Sequence, residues 1–183
     1  MANNILVLTG SPRKGGNSDL LADAFIAGAR QAGHTTVKYV TAEKNITGCK
    51  ACNTCFSKGS ACSFADDFNE LAPLLAQAEI LVFATPLYWF SFPVQLKAAI
   101  DKLYSFLIGQ KVLPVRACVL LVCGVAEEET EYAGIVTTYK QIAHYQHWQD
   151  GGVIIVPGVK DKGDILKTDG LKRAMRLGVS LAV

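Results

Sequence analysis

The chain has 183 residues, half of them hydrophobic and 19% charged, which is typical of one globular domain and argues against intrinsic disorder. Its formal net charge is only +2, and acidic and basic residues are mixed along the chain, so composition favours neither nucleic acid nor an anionic membrane as a partner. The N-terminus has no basic segment before its short apolar run, and the longest apolar run is interrupted by prolines. We therefore expect a single domain over residues 1–183, located in the cytoplasm.

Five short apolar segments rich in β-branched residues recur along the chain and predict β-strands. They are Ile5 to Gly10, Thr36 to Val40, Glu79 to Pro86, Ala117 to Gly124 and Gly152 to Gly158. Four of the five are almost continuously hydrophobic. Such runs are typical of parallel strands that are covered on both faces.

A segment with helical character follows each predicted strand. These segments are Asn17 to Ala32, Asp66 to Ala78, Pro93 to Gly109, Glu127 to His147 and Thr168 to Leu181. Gly33 directly follows the first segment, as expected of a residue that ends a helix, and Pro93 suits the first turn of the third. The alternation predicts an α/β fold with an open parallel sheet and helices on both faces, which binds ligands beyond the carboxyl ends of its strands.

The loop after the first predicted strand reads TGSPRKGGNS and leads into a helix. A turn rich in Gly, Ser and Asn at a helix N-terminus offers backbone N–H groups, hydroxyls and a positive dipole end to a phosphate. Its spacing matches neither G-x-G-x-x-G nor a Walker A motif, which argues against a dinucleotide or a nucleoside triphosphate. The alternative is an ordinary turn in which Ser or Asn caps the helix.

The third predicted strand ends in the sequence ATPLYWFSFP, which places Tyr88, Trp89 and Phe90 in a loop at the carboxyl edge of the sheet. Aromatic side chains in such a loop suit a flat conjugated ligand. A phosphate loop and a loop for a planar ring on neighbouring strands indicate a mononucleotide with a large ring. Flavin mononucleotide (FMN) fits that description best.

The segment from Thr41 to Ala65 has no clear periodicity and contains Cys49, Cys52, Cys55 and Cys62. Clustered cysteines in a cytoplasmic protein more often bind a metal or do redox chemistry than form a disulfide framework. Four thiolates suit an iron–sulfur cluster or zinc, and the alternatives are a redox disulfide or buried packing. The spacing alone does not choose among these. The other two cysteines, five positions apart on the fourth predicted strand, are expected to pack on opposite faces of the sheet.

These motifs resemble the NADPH-dependent FMN reductases of the flavodoxin-like fold, a family that includes the iron–sulfur flavoproteins. The resemblance rests on GSPRKGGNS, on the C-x2-C-x2-C-x6-C run followed by ADDF, and on TPLYWFSFPVQLKAAIDKL. It implies a flavodoxin-like three-layer sandwich whose five-stranded parallel sheet has the order 2-1-3-4-5. The Cys-rich loop, at about residues 42–65, is then an insertion into this fold.

The resemblance also implies a set of cofactor-binding residues. The FMN phosphate is assigned to Ser11, Arg13, Asn17 and Ser18; the ring and ribityl chain to Pro86, Leu87, Tyr88, Trp89 and Phe90; and a third flavin-facing loop to Gly124. In the family that third loop is usually rich in glycine, whereas this chain has Cys-Gly-Val-Ala there. The four clustered cysteines, Cys49, Cys52, Cys55 and Cys62, would be the ligands of a [4Fe–4S] cluster. A homodimer or homotetramer is implied as well.

The leading function is an FMN-dependent NAD(P)H oxidoreductase that reduces quinones, flavins or similar small acceptors by hydride transfer through bound FMN. No protein side chain is then expected to act as an essential acid or base. The alternative is an iron–sulfur flavoprotein that transfers electrons between a ferredoxin-like donor and FMN through the four-cysteine cluster. A flavodoxin-type carrier is less favoured, because such carriers are strongly acidic and this chain is slightly basic.

Overall fold

A computed structural model of the chain describes residues 2–181. Five parallel strands form one sheet with the order β2-β1-β3-β4-β5. The strands are β1 (Asn4–Thr9), β2 (Thr35–Val40), β3 (Ile80–Pro86), β4 (Ala117–Cys123) and β5 (Gln149–Val156). This order confirms the flavodoxin-like sheet that the sequence predicted.

Six α-helices are formed within the described part of the chain. They are α1 (Asn17–Gln31), α2 (Phe68–Leu75), α3 (Val94–Asp101), α4 (Tyr104–Ile108), α5 (Ala133–Tyr145) and α6 (Gly170–Ser180). Among residues 2–181, no helix has the length and apolar character needed to cross a membrane.

The sheet separates two hydrophobic cores, because successive side chains of a strand point to opposite faces. On β1, Ile5 and Val7 pack in one core with residues of α1 and α6, whereas Leu6 and Leu8 pack in the other core with residues of α2, α3 and α5. Helices therefore cover both faces, as predicted. Strand β4 is buried along its whole length, which explains its continuous apolar sequence.

Helices α1 and α6 pack very closely where two glycines meet the opposite backbone. A Cβ atom added to Gly28 would lie 2.0 Å from the carbonyl oxygen of Met175, and one added to Gly178 would lie 2.3 Å from that of Phe25. Neither distance is sterically allowed, so this helix pair requires glycine at both positions.

The predicted helix from Pro93 to Gly109 is wrong in one respect, because the chain forms two helices there. Helix α3 ends at Asp101 and α4 begins at Tyr104. Lys102 lies at the break, and its side chain, only 4% exposed, forms an ion pair with Asp66. A charged group is retained in a protein interior when it is paired. Here the partner lies 36 positions earlier in the chain, so no local periodicity indicates the pair.

The helix predicted from Glu127 also begins differently. A 3₁₀ turn at Glu129–Tyr132 comes first, and α5 starts at Ala133. Glu128 and Glu131 form a reciprocal capping box at the start of that turn. These two carboxylates therefore cap a helical segment.

Candidate functional site

A cavity of about 200 Å³ opens at the carboxyl ends of β1, β3 and β4. Eight of the ten residues that the sequence assigned to the cofactor line it: Ser11, Arg13, Asn17, Ser18, Pro86, Leu87, Tyr88 and Gly124. Three loops that are distant in sequence thus meet at one site. This is where parallel α/β sheets bind ligands.

One end of the cavity is formed by the N-terminus of α1, which has no side-chain cap. The backbone N–H groups of its first turn have no acceptor among residues 2–181, and the hydroxyl of Ser18, a residue only 3% exposed, has no partner there either. Nearby, Ser11 Oγ accepts a hydrogen bond from Arg13 N at 3.1 Å. A hydroxyl on the cavity wall, beside free N–H groups and the positive end of a helix, suits an anionic oxygen ligand.

The side chain of Asn17, which the resemblance assigned to the FMN phosphate, is hydrogen-bonded to a distant loop. Its Nδ2 donates to the carbonyl oxygen of Asp161 at 2.9 Å. Its Oδ1 accepts from the backbone N–H groups of Gly163 at 3.1 Å and Ile165 at 3.3 Å. Asn17 therefore holds the β5–α6 loop, residues 157–169, against the phosphate end of the cavity, and its backbone N–H and the second hydrogen of Nδ2 remain for a ligand.

The β5–α6 loop supplies a cavity residue that the sequence analysis missed. Lys160 lines the cavity, and its carbonyl oxygen accepts a hydrogen bond from Arg13 Nη1 at 3.4 Å. Two cationic side chains therefore belong to the same site. The basic sequence VKDK directly follows the fifth predicted strand, and that signal could have placed it at this edge of the sheet.

The aromatic loop after β3 is a two-residue turn. The N–H groups of Tyr88 and Ser91 each donate to the other residue's carbonyl oxygen, at 3.1 and 3.0 Å. The central residues, Trp89 and Phe90, have φ angles of 44° and 63°, a left-handed conformation that is unfavourable for bulky side chains. They are 93% and 52% exposed and do not line the cavity. Their contact with a cofactor stays a prediction.

Gly124 directly follows β4 and lies against the loop after β3. A Cβ atom at this position would lie 3.1 Å from both the Leu87 Cβ and the Tyr132 hydroxyl. The N–H of Leu87 donates to the carbonyl oxygen of Cys123 at 2.8 Å, which joins the two loops. Glycine at position 124 therefore permits this close packing, even though the rest of the loop is not rich in glycine.

A second, smaller cavity contains the four clustered cysteines, Cys49, Cys52, Cys55 and Cys62, together with Lys102, Tyr104 and Ser105. All four are free thiols. Burial raises the pKa of the Cys55 thiol, and negative charge on the other three thiols raises it further. Within residues 2–181, however, no three His, Cys, Asp or Glu side chains converge as metal ligands do. The structure brings the thiols into one neighbourhood without forming a coordination geometry.

The donor set nevertheless fits a thiolate-bound metal centre chemically. Four thiols are the ligands that zinc and iron–sulfur clusters prefer. The buried hydroxyl of Ser105, on the wall of the same cavity, has no hydrogen-bond partner among the described residues. A metal usually orders the loop that supplies its ligands. The four cysteines therefore remain a predicted ligand set, and binding would require the Cys-rich loop to close around the metal.

The remaining cysteines confirm the prediction of core packing. Cys118 lies in the core on one side of the sheet and Cys123 in the core on the other. Burial raises the pKa of the Cys118 thiol to about 11 and that of Cys123 to about 12. Both therefore stay protonated near neutral pH.

Proteins from archaea and bacteria are similar to this chain. It is 32% identical to an iron–sulfur flavoprotein of Archaeoglobus fulgidus over 99 residues, which cover 54% of this chain and 44% of that protein. It is 32% identical to one of Methanosarcina thermophila over 104 residues, which cover 57% and 53%. The matches thus span about half the length of these two relatives. Bacillus subtilis YwqN, described as an NAD(P)H-dependent FMN-containing oxidoreductase, is 26% identical over 180 residues, covering 94% of this chain and 95% of YwqN.

Solved structures share the fold along nearly the whole chain. An NAD(P)H:quinone oxidoreductase from Methanothermobacter marburgensis superimposes with a TM-score of 0.79 at 21% identity, covering 100% of this chain and 98% of that one. An azoreductase from Bacillus anthracis gives a TM-score of 0.71 at 19% identity, covering 98% and 99%. The sequence profile of the family described as NADPH-dependent FMN reductase matches residues 3–154. The chain therefore belongs to the NADPH-dependent FMN reductase family.

Proposed function

We propose that the protein binds FMN in the cavity at the carboxyl edge of the sheet and acts as an FMN-dependent NAD(P)H oxidoreductase on quinones, flavins or similar small acceptors. The observation that carries this proposal is the hydroxyl of Ser18, which has no hydrogen-bond partner within residues 2–181 and lies beside the free N–H groups of α1, at one end of a cavity bounded by Leu87 and Tyr88. Bound FMN would supply the hydride-accepting ring.

The phosphate end is built for a dianion. Ser18 offers its hydroxyl, the first turn of α1 offers its N–H groups, and Arg13 and Lys160 add two positive charges. Hydrogen bonds to a charged group contribute about 1.5–3 kcal/mol each, roughly twice the value for neutral pairs. We therefore expect the phosphate to dominate cofactor affinity.

The protein's own groups in this cavity bind and orient rather than transfer protons. Among the described residues, no carboxylate and no imidazole line the cavity. Its one thiol, Cys123, has a pKa raised by burial to about 12 and stays protonated. This supports a mechanism in which the cofactor performs the redox chemistry, so that substrate choice depends on access and shape.

A titration with two flavins tests the proposal. We expect the protein to bind FMN at least about tenfold more tightly than riboflavin, because only FMN carries the phosphate. The substitution Arg13→Ala should weaken FMN binding and leave riboflavin binding unchanged, whereas Arg176→Ala, at an exposed arginine of α6, should change neither. Equal affinities for the two flavins would contradict a phosphate site. The activity is tested by a second measurement, the stopped-flow reduction of bound FMN by NADPH and by NADH.

A second candidate function, an iron–sulfur flavoprotein that exchanges electrons with a ferredoxin-like donor, is favoured by the cavity that contains the four cysteines and Ser105. Iron and zinc analysis of protein purified without oxygen tests it. About four irons per chain, with absorption near 400 nm, would support the cluster. Protein that binds FMN but contains no iron would leave the simple reductase.

Six free thiols suit a reducing compartment, so we propose a cytoplasmic location for either function.

The exposed aromatic turn supports a further part of the proposal, a homodimer or homotetramer. Trp89 and Phe90 present large apolar side chains to solvent immediately beside the cavity. Their burial against a second copy would stabilise the assembly through apolar area. Sedimentation of the protein with and without FMN measures the oligomeric state, and a monomer under both conditions would contradict this part.

A further inference from the structure

One wall of the cysteine cavity carries a buried ion pair. The side chains of Lys102 and Asp66 are 4% and 2% exposed. The ammonium of Lys102 donates a hydrogen bond to Asp66 Oδ2 and lies 3.7 Å from the sulfur of Cys62, within hydrogen-bond reach of sulfur. A buried lysine thus faces one of the four clustered thiols.

Asp66 fixes the position of this ammonium. Its Oδ2 also accepts hydrogen bonds from the backbone N–H and the hydroxyl of Thr47, at 3.1 and 2.8 Å, and its Oδ1 accepts from the backbone of Phe68 at 3.0 Å. Burial opposes ionisation, but the hydrogen bonds from Lys102 and Thr47 outweigh it and lower the pKa of Asp66. The carboxylate therefore remains charged, and it ties the start of the Cys-rich loop to the α3–α4 break.

Ser105 is the second polar group on this wall. It is 4% exposed, it lines the cavity, and its hydroxyl has no hydrogen-bond partner among residues 2–181. A buried hydroxyl without a partner has lost its hydrogen bond to water and gained none in return, which is unfavourable. A hydroxyl held in this way indicates a ligand in the cavity that accepts its hydrogen bond.

Among the four clustered cysteines, Cys62 has its backbone fixed by a neighbouring side chain. Its backbone N–H donates to Asn69 Oδ1 at 2.8 Å, and its carbonyl oxygen accepts from Asn69 Nδ2 at 3.1 Å. Cys49 and Cys52 are exposed, whereas Cys55 and Cys62 are both partly buried. The cavity therefore has one fixed wall, formed by Cys62, Lys102 and Ser105, and an open side that carries the other three thiols.

We propose that Lys102 and Ser105 are the hydrogen-bond donors that hold the sulfur atoms of a tetrathiolate metal centre and compensate its negative charge, with Cys62 as the anchored ligand. This inference rests on the second candidate function. Four thiolates around zinc or an iron–sulfur cluster leave a net negative charge, which a buried ammonium offsets. Donors outside the ligand shell of this kind orient ligands and set metal affinity and reduction potential.

The test compares metal-loaded variants of the full chain. Wild type, Lys102→Met, Ser105→Ala and the control Lys97→Met are reconstituted without oxygen, in one arm with iron and sulfide and in the other with zinc alone. Lys97 is an exposed lysine of α3 whose ammonium pairs with Asp101 at 2.6 Å, so it matches Lys102 in chemistry but not in burial. The arm in which wild type takes up metal identifies the centre.

We expect Lys102→Met and Ser105→Ala to release metal to a chelator about 10- to 100-fold more readily than wild type, the range usual for such outer-shell donors. In the iron arm both should also lower the midpoint reduction potential, since removing a donor or a positive charge disfavours the more negative reduced state. Lys97→Met should match wild type in both measurements.

Two further variants separate this role from folding. Lys102→Met leaves Asp66 buried without its cation, so the double variant Lys102→Met/Asp66→Asn, which removes both charges, is measured beside it. Ser105→Ala removes an atom that has no partner in the described part of the chain, so it should not lower the thermal midpoint of the metal-free protein. Wild-type metal retention and potential in both Ser105→Ala and the double variant would overturn the inference. If wild type takes up neither metal, the thiol centre itself is overturned. The proposed FMN site is tested separately, by the titration with FMN and riboflavin.

Discussion

Asn17 Oδ1 accepts a hydrogen bond from the backbone N–H of Gly163, a residue 146 positions further along the chain. The same side chain also bonds Asp161 and Ile165. One amide therefore joins the first loop of the fold to the last loop that reaches the cavity. It positions Lys160 next to Arg13, and affinity for an anionic cofactor should depend on it.

Replacing this amide tests that link. In Asn17→Ala the β5–α6 loop loses three hydrogen bonds, each contributing about 1 kcal/mol in a neutral context. We expect FMN affinity to fall by about tenfold or more, measured as quenching of flavin fluorescence. Lys160→Ala should lower the affinity as well, and the double variant should lose less than the sum of the two, since Asn17 acts partly through the position of Lys160. Unchanged FMN binding in Asn17→Ala would show that the loop is held by other contacts.

The left-handed turn after β3 predicts opposite effects on stability and on function. Glycine adopts positive φ without strain, so Trp89→Gly should relieve about 1 kcal/mol and raise the urea midpoint slightly. The same change removes an exposed ring beside the cavity and should weaken flavin binding or self-association. Val112 is a suitable control, because it is 92% exposed and is not among the residues with positive φ. We expect Val112→Gly to be neutral or destabilising, and a loss of stability in Trp89→Gly would contradict the strain argument.

The contact between α1 and α6 predicts a steric effect. Alanine usually stabilises a helix relative to glycine by roughly 0.5–1 kcal/mol. In Gly178→Ala, however, the new methyl group would meet the Phe25 carbonyl oxygen and the Ala29 nitrogen, so we expect a net loss of about 1–3 kcal/mol in the free energy of unfolding. Gly48→Ala, where no atom lies within 4 Å of the added Cβ, should change little. Equal urea midpoints for the two variants would show that the helices can separate freely.

The buried pair of Asp66 and Lys102 predicts a pH-dependent contribution to stability. Breaking such a pair leaves an uncompensated buried charge, so Asp66→Asn should lower the free energy of unfolding by about 3 kcal/mol near pH 7. The pKa of Asp66 lies below its ordinary value of 3.8 in the folded protein. Its stabilisation is therefore complete above that ordinary value and is lost as the pH falls through the lowered pKa.

Urea unfolding of both proteins between about pH 3 and pH 7 measures this effect. The difference in free energy of unfolding between wild type and Asp66→Asn should be constant at the higher pH values. It should become smaller below the ordinary carboxyl pKa. Asp101→Asn is the control, because this carboxylate is 46% exposed and its pair with Lys97 lies on the surface. It should give a small gap at every pH. A constant gap for Asp66→Asn down to the lowest pH would show that the carboxylate adds no charge-dependent stability.

The local pattern of the sequence determined the elements and their class. Continuous β-branched runs predicted buried parallel strands, and β4 is indeed buried throughout. Gly33, with a φ of 88°, follows α1 where the pattern expected a helix to end. The loops after β1, β3 and β4 converge because all parallel strands direct their carboxyl ends to one edge, so most of the predicted cofactor residues line one cavity. These features depend on neighbours in sequence and on one topological rule.

Only the tertiary structure decided which partner each polar group has. The side chain of Asn17, predicted to face a phosphate, is bound by a loop more than 140 residues away. Lys102 lies where the predicted helix divides into α3 and α4, and its side chain pairs in the interior with Asp66. The exposure of Trp89 likewise follows from packing, as does the fact that the Ser105 hydroxyl finds no partner within residues 2–181. The physical reason is that periodicity reports which face of an element is apolar, whereas the pairing of a hydrogen-bonding or charged group depends on which distant segments the sheet order brings within about 3 Å of it.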